Sequence, residues 1–380
     1  MKSFYNSNFR LGILGGGQLG RMLIQEAANY DIRISVLDPG KDAPCNAIAH
    51  EFSCGDYNDF QTVLDFGQHV DVITIEIEHV NTEALFQLES QGKKVFPKPA
   101  FIKMVQDKGL QKNFYRDHQI PTSPYQLIED KSELAMQSLK FPFVLKSRTG
   151  GYDGKGVLVI RNEKDLEGAF SGPCVVEEMV NIQKEIAVIV ARNEAGEVSL
   201  FPLVEMEFNP EANLVEFLFS PAEVTQEIET AAFHIAQKIV VESDFIGLLA
   251  VELFIDEKGQ VIVNEMAPRP HNSGHHTIEA CVTSQYGQLL RAITNMPLGN
   301  TDLIRPGVMI NLLGEKNYSG QAIYEGMMDA LRIPGVYFHL YGKAETRPYR
   351  KMGHITVTNE NLEAAKTTAK QLLKSVRVIA

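Results

Sequence analysis

The stretch "ILGGGQLGRM", Ile13 to Met22, constrains the fold of this chain more than any other. Gly15, Gly17 and Gly20 fall on a G-x-G-x-x-G spacing between an apolar strand candidate, Phe9 to Leu14, and an amphipathic stretch, Leu19 to Ala28. Glycines so placed allow a tight strand-to-helix turn and close packing of helix on sheet, so the chain is expected to open with a parallel βαβ unit. Taken alone, the pattern also predicts a dinucleotide. Its pyrophosphate would sit at the helix N-terminus, with Asp38, at the end of the next strand candidate Ile32 to Leu37, on the ribose.

Strand-like runs then alternate with helix-like ones: Asp71 to Ile75 and Lys94 to Phe96 are separated by Thr82 to Gln91. That alternation predicts a parallel sheet covered by helices. "FPKPA", Phe96 to Ala100, punctuates the chain, and a helical stretch around Asp107 to His118 leads to a second break, "QIPTSPY". Three strand-like runs with a Gly-rich loop suggest a small α+β lobe over Pro121 to Val180. Longer strands follow from Lys184, and a terminal helix is expected from Asn361 to Ser375. The length allows two to three domains, with boundaries placed at 1–100, 101–185 and 186–380.

With 380 residues and 44% hydrophobic content the chain can bury a substantial core without staples. A net charge of -12 argues against general affinity for nucleic acid or anionic membrane, so any anionic ligand needs a local basic cluster. Four cysteines without C-x-x-C spacing fit reduced thiols in a cytosol, and no stretch is long and apolar enough for a membrane span. A cytoplasmic location is expected.

Four constellations carry chemistry. In "KSRTGGYDGKGVLVI", Lys146 to Ile160, four glycines lie between two strand candidates, a hairpin loop whose N-H groups could fold over a polyphosphate. It is not followed by a helix, which excludes a Walker loop, and Lys146 and Lys155 are natural phosphate partners. Second, Glu252 and Glu265 flank the turn Asp256 to Gly259. An even-length turn would put them on one face, as direct or diagonal neighbours, and an odd-length turn without a bulge on opposite faces. Carboxylates side by side call for a cation, and beside a phosphate loop Mg²⁺ is the economical choice. Third, "APRPHNSGHH", Ala267 to His276, is a stiff polar turn directly after Glu265, suited to orienting a substrate; a His-rich zinc loop is the competing reading. Fourth, "GKAETRPYRKMGH" gathers Lys343, Arg347, Arg350, Lys351 and His354, either a solvated basic face or a phosphate-ester site.

These motifs, in this order over essentially the full length, resemble the ATP-grasp ligases, and within them the 5-(carboxyamino)imidazole ribonucleotide synthase family of purine biosynthesis. The resemblance implies an α/β and α+β multidomain fold: an N-terminal Rossmann-like parallel sheet, a central α+β lid and a C-terminal mixed β domain. It also implies ATP and Mg²⁺, with Mn²⁺ as a substitute. Lys108 and Lys146 would contact the nucleotide phosphates, and Gly151, Tyr152, Asp153, Gly154, Lys155, Gly156 and Val157 would form the closing loop. The backbone of Glu177, Glu178, Met179 and Val180 would hold adenine, and Glu185 the ribose. Glu252 and Glu265, with Asn264 as a third, would bind the metal. Gln18, Leu19, Glu76, Tyr152, Asp153, Arg269, His271, Asn272 and Ser273 would line the ribonucleotide site, with Lys343, Arg350 and Lys351 clamping its 5′-phosphate.

The implied reaction carboxylates aminoimidazole ribonucleotide with bicarbonate through carboxyphosphate. Arg269 would hold bicarbonate, and His271 would manage the amine proton or serve as a hydrogen-bonding group. Formate-dependent glycinamide ribonucleotide transformylase, of the same superfamily, is the alternative. A homodimer and a transient contact with the mutase that follows in the pathway are further implications. Three positions depart from the family pattern: Val157 in place of a polar residue, His79 in place of Asn, and Tyr349 in place of Gly in "RPGRK". With an ATP site some 130 residues downstream, "ILGGGQLGRM" becomes a turn kept for its geometry, and Asp38 loses its ribose role.

Overall fold

The computed structural model describes residues 6–136, 140–151, 156–209 and 214–380. Five parallel strands form the first sheet: β1 (Arg10–Leu14), β2 (Arg33–Asp38), β3 (Glu51–Cys54), β4 (Val72–Ile75) and β5 (Lys94–Val95), in the spatial order β3-β2-β1-β4-β5. Strand order reverses about β1, so the glycine turn and the end of β4 face one crevice, where open α/β sheets bind ligands. The strands β1, β2 and β4 are almost wholly buried, as expected for a sheet covered on both faces.

A second sheet, β6 (Tyr125–Ile128), β7 (Phe143–Ser147), β8 (Val157–Ile160) and β9 (Cys174–Glu178), has the order β6-β9-β7-β8. It is antiparallel throughout and carries its own core around Ile128, Leu145, Ile160 and Val176. The Gly-rich segment joins β7 to β8 as expected.

The third and largest sheet contains β10 (Ile182–Arg192), β11 (Val198–Leu200), β12 (Val204–Asn209), β13 (Leu214–Ser220), β14 (Gly247–Asp256), β15 (Val261–Ala267) and β16 (Gly307–Leu313). It is completed by the strands Lys351–Thr358 and Val336–Leu340. Its path runs β15-β14-β10-β12-β13-β16, then those two strands in that order, with β11 beside β10. The edge pair β14-β15 approaches the lid, where Thr122 bridges to Val263.

Several helices escape the sequence reading. Pro99 begins the helix Pro99–Val105, although "FPKPA" reads as a break; proline fits a first helical turn, where its missing N-H would have no partner. Gln226–Glu242 and Gln285–Ile293 are two more, and both supply core to the large sheet. The terminal helix, Leu362–Ser375, has Asn361 as its N-cap, one residue from the expected start.

Candidate active site

The glycine turn explains why the dinucleotide reading fails. Glu76, at the end of β4, places its carboxylate at the N-terminus of the helix Gln18–Ala27, accepting the N-H of Leu19 at 3.2 Å. A Cβ on Gly17 would lie 2.4 Å from Glu76 Oε1, and Gly15 holds φ at +101°. The protein's own carboxylate therefore stands where a pyrophosphate would bind. Burial pushes Glu76 up to about 7 against the pull of Arg269. Asp38 is also spoken for: its Oδ2 accepts the N-H of Gly16 and its Oδ1 that of Gly40, both at 2.7 Å.

The paired carboxylates lie on one face, by a route the turn alone does not give. Ile255 pairs with Val261, so the connection is odd in length and Gly259 takes the left-handed conformation, φ +75°. A simple ladder would then oppose Glu252 to Asn264. The register shifts between Glu252 and Leu253, and Glu252 instead faces Glu265, with Asn264 as the extra residue of the bulge. Ala187 of β10 opposes Glu252, which puts Glu185 on the same face two residues along.

Cations converge on this face. Lys108 Nζ lies 2.6 Å from Glu265 Oε2, and Lys146 Nζ donates to Asn264 Oδ1 at 3.0 Å. The Lys108 ammonium is the main reason Glu265 is held below the usual carboxylate range. Glu252 is pushed up, first by burial and then by the charges of Glu265 and Glu185. Burial likewise pushes Glu185 up to about 7. Lys108 opens the helix Lys108–Asp117, whose N-cap Asp107 also receives a forked pair from Arg148, 2.9 and 2.6 Å. The lid strand thereby fixes the base of Lys108.

Glu177 differs from the expectation of a purely backbone hinge. Its side chain is 5% exposed and turned inward, 3.2 Å from Lys146, 3.3 Å from Lys112 and 2.8 Å from Ser123 Oγ. Burial would raise this carboxylate, but Lys146 and Lys112 hold it below its ordinary range. Lys112, buried beside it, is itself pushed down to about 8. Glu178 and Met179 are exposed and Val180 half-buried at the end of β9, an inner strand whose end faces solvent. Gly151 and Gly156 bound the loop, Gly156 with φ +78°, and Val157 begins β8, 40% exposed. Tyr152, Asp153, Gly154 and Lys155 lie outside the described residues.

The turn after β15 faces the first sheet. Arg269 pairs with Glu78 at 2.8 Å and donates to the carbonyl of Pro270 at 3.0 Å. His271 Nδ1 accepts the N-H of Ser273 at 3.3 Å, which leaves Nε2-H to donate to Glu252 Oε1 at 3.3 Å. That arrangement lets the ring orient the Glu252 carboxyl group. Asn272 is half-buried on the same turn, whereas Ser273, expected to line the substrate site, is 1% exposed with its hydroxyl 2.9 Å from His271 Nδ1. The basic segment completes the crevice: Lys343 Nζ donates to Gln18 Oε1 at 3.0 Å and to the carbonyl of Lys351 at 2.7 Å. Burial and the nearby Arg350 push Lys343 down to about 8, and Arg350 itself bonds the carbonyl of Glu345. Tyr349, in the family's glycine position, takes φ +61°, the conformation that glycine would supply freely.

Glu78, Lys112 and Arg148 were not anticipated. Glu78 stands two residues after Glu76 at a strand end, and Lys112 one helical turn after Lys108, so spacing could have flagged both. Arg148 offered no comparable signal. Among the described residues no cluster of three His, Cys, Asp or Glu side chains is set to hold a metal by itself, and no helix is long and apolar enough to cross a membrane.

A two-lysine, two-carboxylate cleft between a four-stranded lid and a large antiparallel sheet, beside a parallel domain with a basic crevice, defines a nucleotide-dependent ligase. Family models match in three consecutive blocks: a ribonucleotide synthetase preATP-grasp domain over 9–106, an ATP-grasp domain over 113–286 and a phosphoribosylaminoimidazole carboxylase C-terminal domain over 307–368. The chain is 39% identical to N5-carboxyaminoimidazole ribonucleotide synthase of Bacillus subtilis, over 91% of this chain and 90% of that protein. It is 37% identical to the chloroplastic phosphoribosylaminoimidazole carboxylase of Vigna aconitifolia, over 96% of this chain but only 66% of that longer protein. Among solved structures, N5-carboxyaminoimidazole ribonucleotide synthetase from Thermotoga maritima superposes with a TM-score of 0.91 at 42% identity, covering 98% of this chain and 99% of the other. The Aspergillus clavatus synthase in complex with ADP and 5-aminoimidazole ribonucleotide gives 0.88 at 32% identity, covering 97% and 98%. The chain belongs to the N5-carboxyaminoimidazole ribonucleotide synthase family of ATP-grasp proteins.

Proposed function

We propose that this protein carboxylates the exocyclic amine of 5-aminoimidazole ribonucleotide, using ATP and bicarbonate and releasing ADP and phosphate. The observation that carries the reading is the joining of two sites at one turn: Glu265 faces the lysines of the nucleotide cleft, and Arg269, four residues on, faces Glu78 in the ribonucleotide crevice. The relatives are named as carboxyaminoimidazole ribonucleotide synthases, which speaks against a formate-dependent transformylase.

ATP would lie between the lid and the β14-β15 edge, its phosphates on Lys108, Lys146 and the Gly-rich loop. Two carboxylates and an amide oxygen on one face, Glu252, Glu265 and Asn264, fit Mg²⁺, which takes oxygen donors and leaves positions for phosphate oxygens. The metal would supply charge neutralisation at the phosphoryl group. The chain's own part is positioning. Glu177 braces Lys146 from below, and Arg148 fixes the helix that carries Lys108, so both ammonium groups are held without reorganisation where charge develops. Arg269 would bind bicarbonate and then carboxyphosphate, leaving Glu78 as the anion arrives. Lid closure would exclude water from that labile intermediate. Lys343, Arg350 and Lys351 would hold the 5′-phosphate and Gln18 the sugar side, setting the amine against the carboxyl group.

The test is phosphate release by the purified protein from ATP, with ribonucleotide and bicarbonate varied independently. Release that depends on both is expected, with the carboxylated product detected directly. Release indifferent to the ribonucleotide would sink the reading.

A further inference from the structure

Behind the Arg269–Ser273 turn, and bonded to its backbone, lies a carboxamide that belongs to another element. Gln285, the first residue of the helix Gln285–Ile293, is 0% exposed. Its Oε1 accepts the N-H of His271 at 2.9 Å and its Nε2 donates to the carbonyl of the same residue at 2.9 Å. The second Nε2 hydrogen points at Nδ1 of buried His275, 3.1 Å away. One side chain thus satisfies both backbone groups of His271 and reaches the far end of the turn. The fit is mutual. A Cβ at Gly274 would come within 2.4 Å of Gln285 Oε1, so the turn leaves room for this amide only with glycine there. Gln285 is anchored in turn, its N-H donating to Thr277 Oγ1 at 2.9 Å, while that hydroxyl bonds the carbonyl of Gly274.

We propose that Gln285 is a positioning residue for the ribonucleotide and bicarbonate site: by clasping the backbone of His271 it fixes where Arg269, His271 and Asn272 stand relative to the substrate. The turn's own backbone bonds are local, the N-H of Gly274 to the carbonyl of His271 at 2.9 Å and that of His275 to the carbonyl of Asn272 at 3.2 Å, whereas Gln285 ties it to a separate helix. An amide that grips it from a buried helix end removes the remaining freedom, and buried groups so paired are costly to unpair. The lysines of the nucleotide cleft are braced separately, by Glu177, Asp107 and Arg148, and keep their geometry when the turn loosens, although the cleft does meet this turn where His271 faces Glu252 at 3.3 Å. Loss of Gln285 should therefore divide the two substrates.

The inference rests on the proposed reaction, so wild-type turnover is measured alongside; wild-type protein with no ribonucleotide-dependent phosphate release would fail that reading rather than this one. Two variants are used. Gln285→Met keeps length and volume but loses both bonds to His271; Gln285→Glu keeps the acceptor. In Gln285→Met, kcat/KM for the ribonucleotide should fall about ten- to hundredfold. KM for ATP and calorimetric affinity for ADP should stay within about threefold, and in Gln285→Glu, whose second oxygen opposes the His271 carbonyl in place of a donor, the ribonucleotide should again be the substrate that suffers. Unchanged ribonucleotide kinetics in Gln285→Met would overturn the proposal. So would a parallel loss of ADP affinity, or failure of both variants to fold, since either result makes Gln285 a residue of the general fold.

Discussion

Lys343 shows how burial can set a working pH. Its ammonium lies among Arg350, Lys351 and Arg347, and burial with that repulsion brings it to about 8. A lysine lowered in this way is charged below that pH and neutral above it. The free enzyme should therefore bind a 5′-phosphate well below pH 8 and progressively worse above, with kcat/KM for the ribonucleotide falling about tenfold per pH unit. Lys343→Arg, which stays charged, should flatten the limb while KM for ATP stays put; a profile identical in both proteins would remove Lys343 from the clamp. Glu265→Gln is expected to lower turnover by about two to three orders of magnitude with the fold retained, because the amide no longer balances Lys108 or serves a cation. Circular dichroism and phosphate release on one sample check both halves. Glu252, Glu265, Lys146 and the basic run were legible because charge inside apolar or glycine-rich sequence is conspicuous. Glu78 and Gln285 were not, since their importance arises only when distant elements meet: Glu78 gains meaning from Arg269, 191 positions later, and Gln285 from the backbone of His271.

The hairpin β14-β15 shows where a sequence rule stops. Parity of the turn was the deciding quantity, and it came out odd; the bulge at Asn264 restored the pairing that parity alone would have denied. A bulge of this kind leaves no local signature in "VIVNEMAP", whereas the strands themselves do, by their apolar runs. The helix Gln226–Glu242 went unread for a related reason. Its apolar positions sit within a stretch rich in Glu, Thr and Gln, and they find their partners in the large sheet and in Phe101, Val105 and Tyr115 of the same cluster. Two left-handed positions can be tested as a pair. Gly259 holds φ +75° and a Cβ there would meet nothing within 4 Å, so Gly259→Ala should cost about 1 kcal/mol of stability from backbone strain alone. Tyr349 bears such strain already, and Tyr349→Gly should recover about 1 kcal/mol. Urea unfolding reads both. The opposite sign at Tyr349 would mean that its ring packing outweighs its backbone.

Three main sheets do not mean three independent bodies. One apolar cluster runs from β1 and β2 of the first sheet, through Leu19, Met22 and Leu23, to Ile189, Leu248, Tyr286 and Leu289 of the large sheet and its helix. The parallel domain and the ATP-grasp sheet therefore share a core, and neither can open without exposing the other's apolar surface. The lid differs, because its cluster around Leu145, Ile160 and Val176 is its own. Units of stability follow shared burial, not sheet boundaries. Native-state hydrogen exchange should accordingly give β1, β4, β10 and β14 a common, high opening free energy, with β6 to β9 opening at a lower one. A protein cut after residue 106 should leave a first domain that does not fold alone. Saturation with ATP at about 100 times its Kd would add roughly 2.7 kcal/mol to any state in which the cleft is intact. Because Lys108 and Lys146, proposed to hold the nucleotide phosphates, lie on the first helix after the parallel domain and on β7, that gain should appear as slower exchange in β7 and β9. If the first sheet exchanged ahead of the large one, or the lid gained no protection with nucleotide, the shared core would not be the unit that holds ribonucleotide and nucleotide sites together.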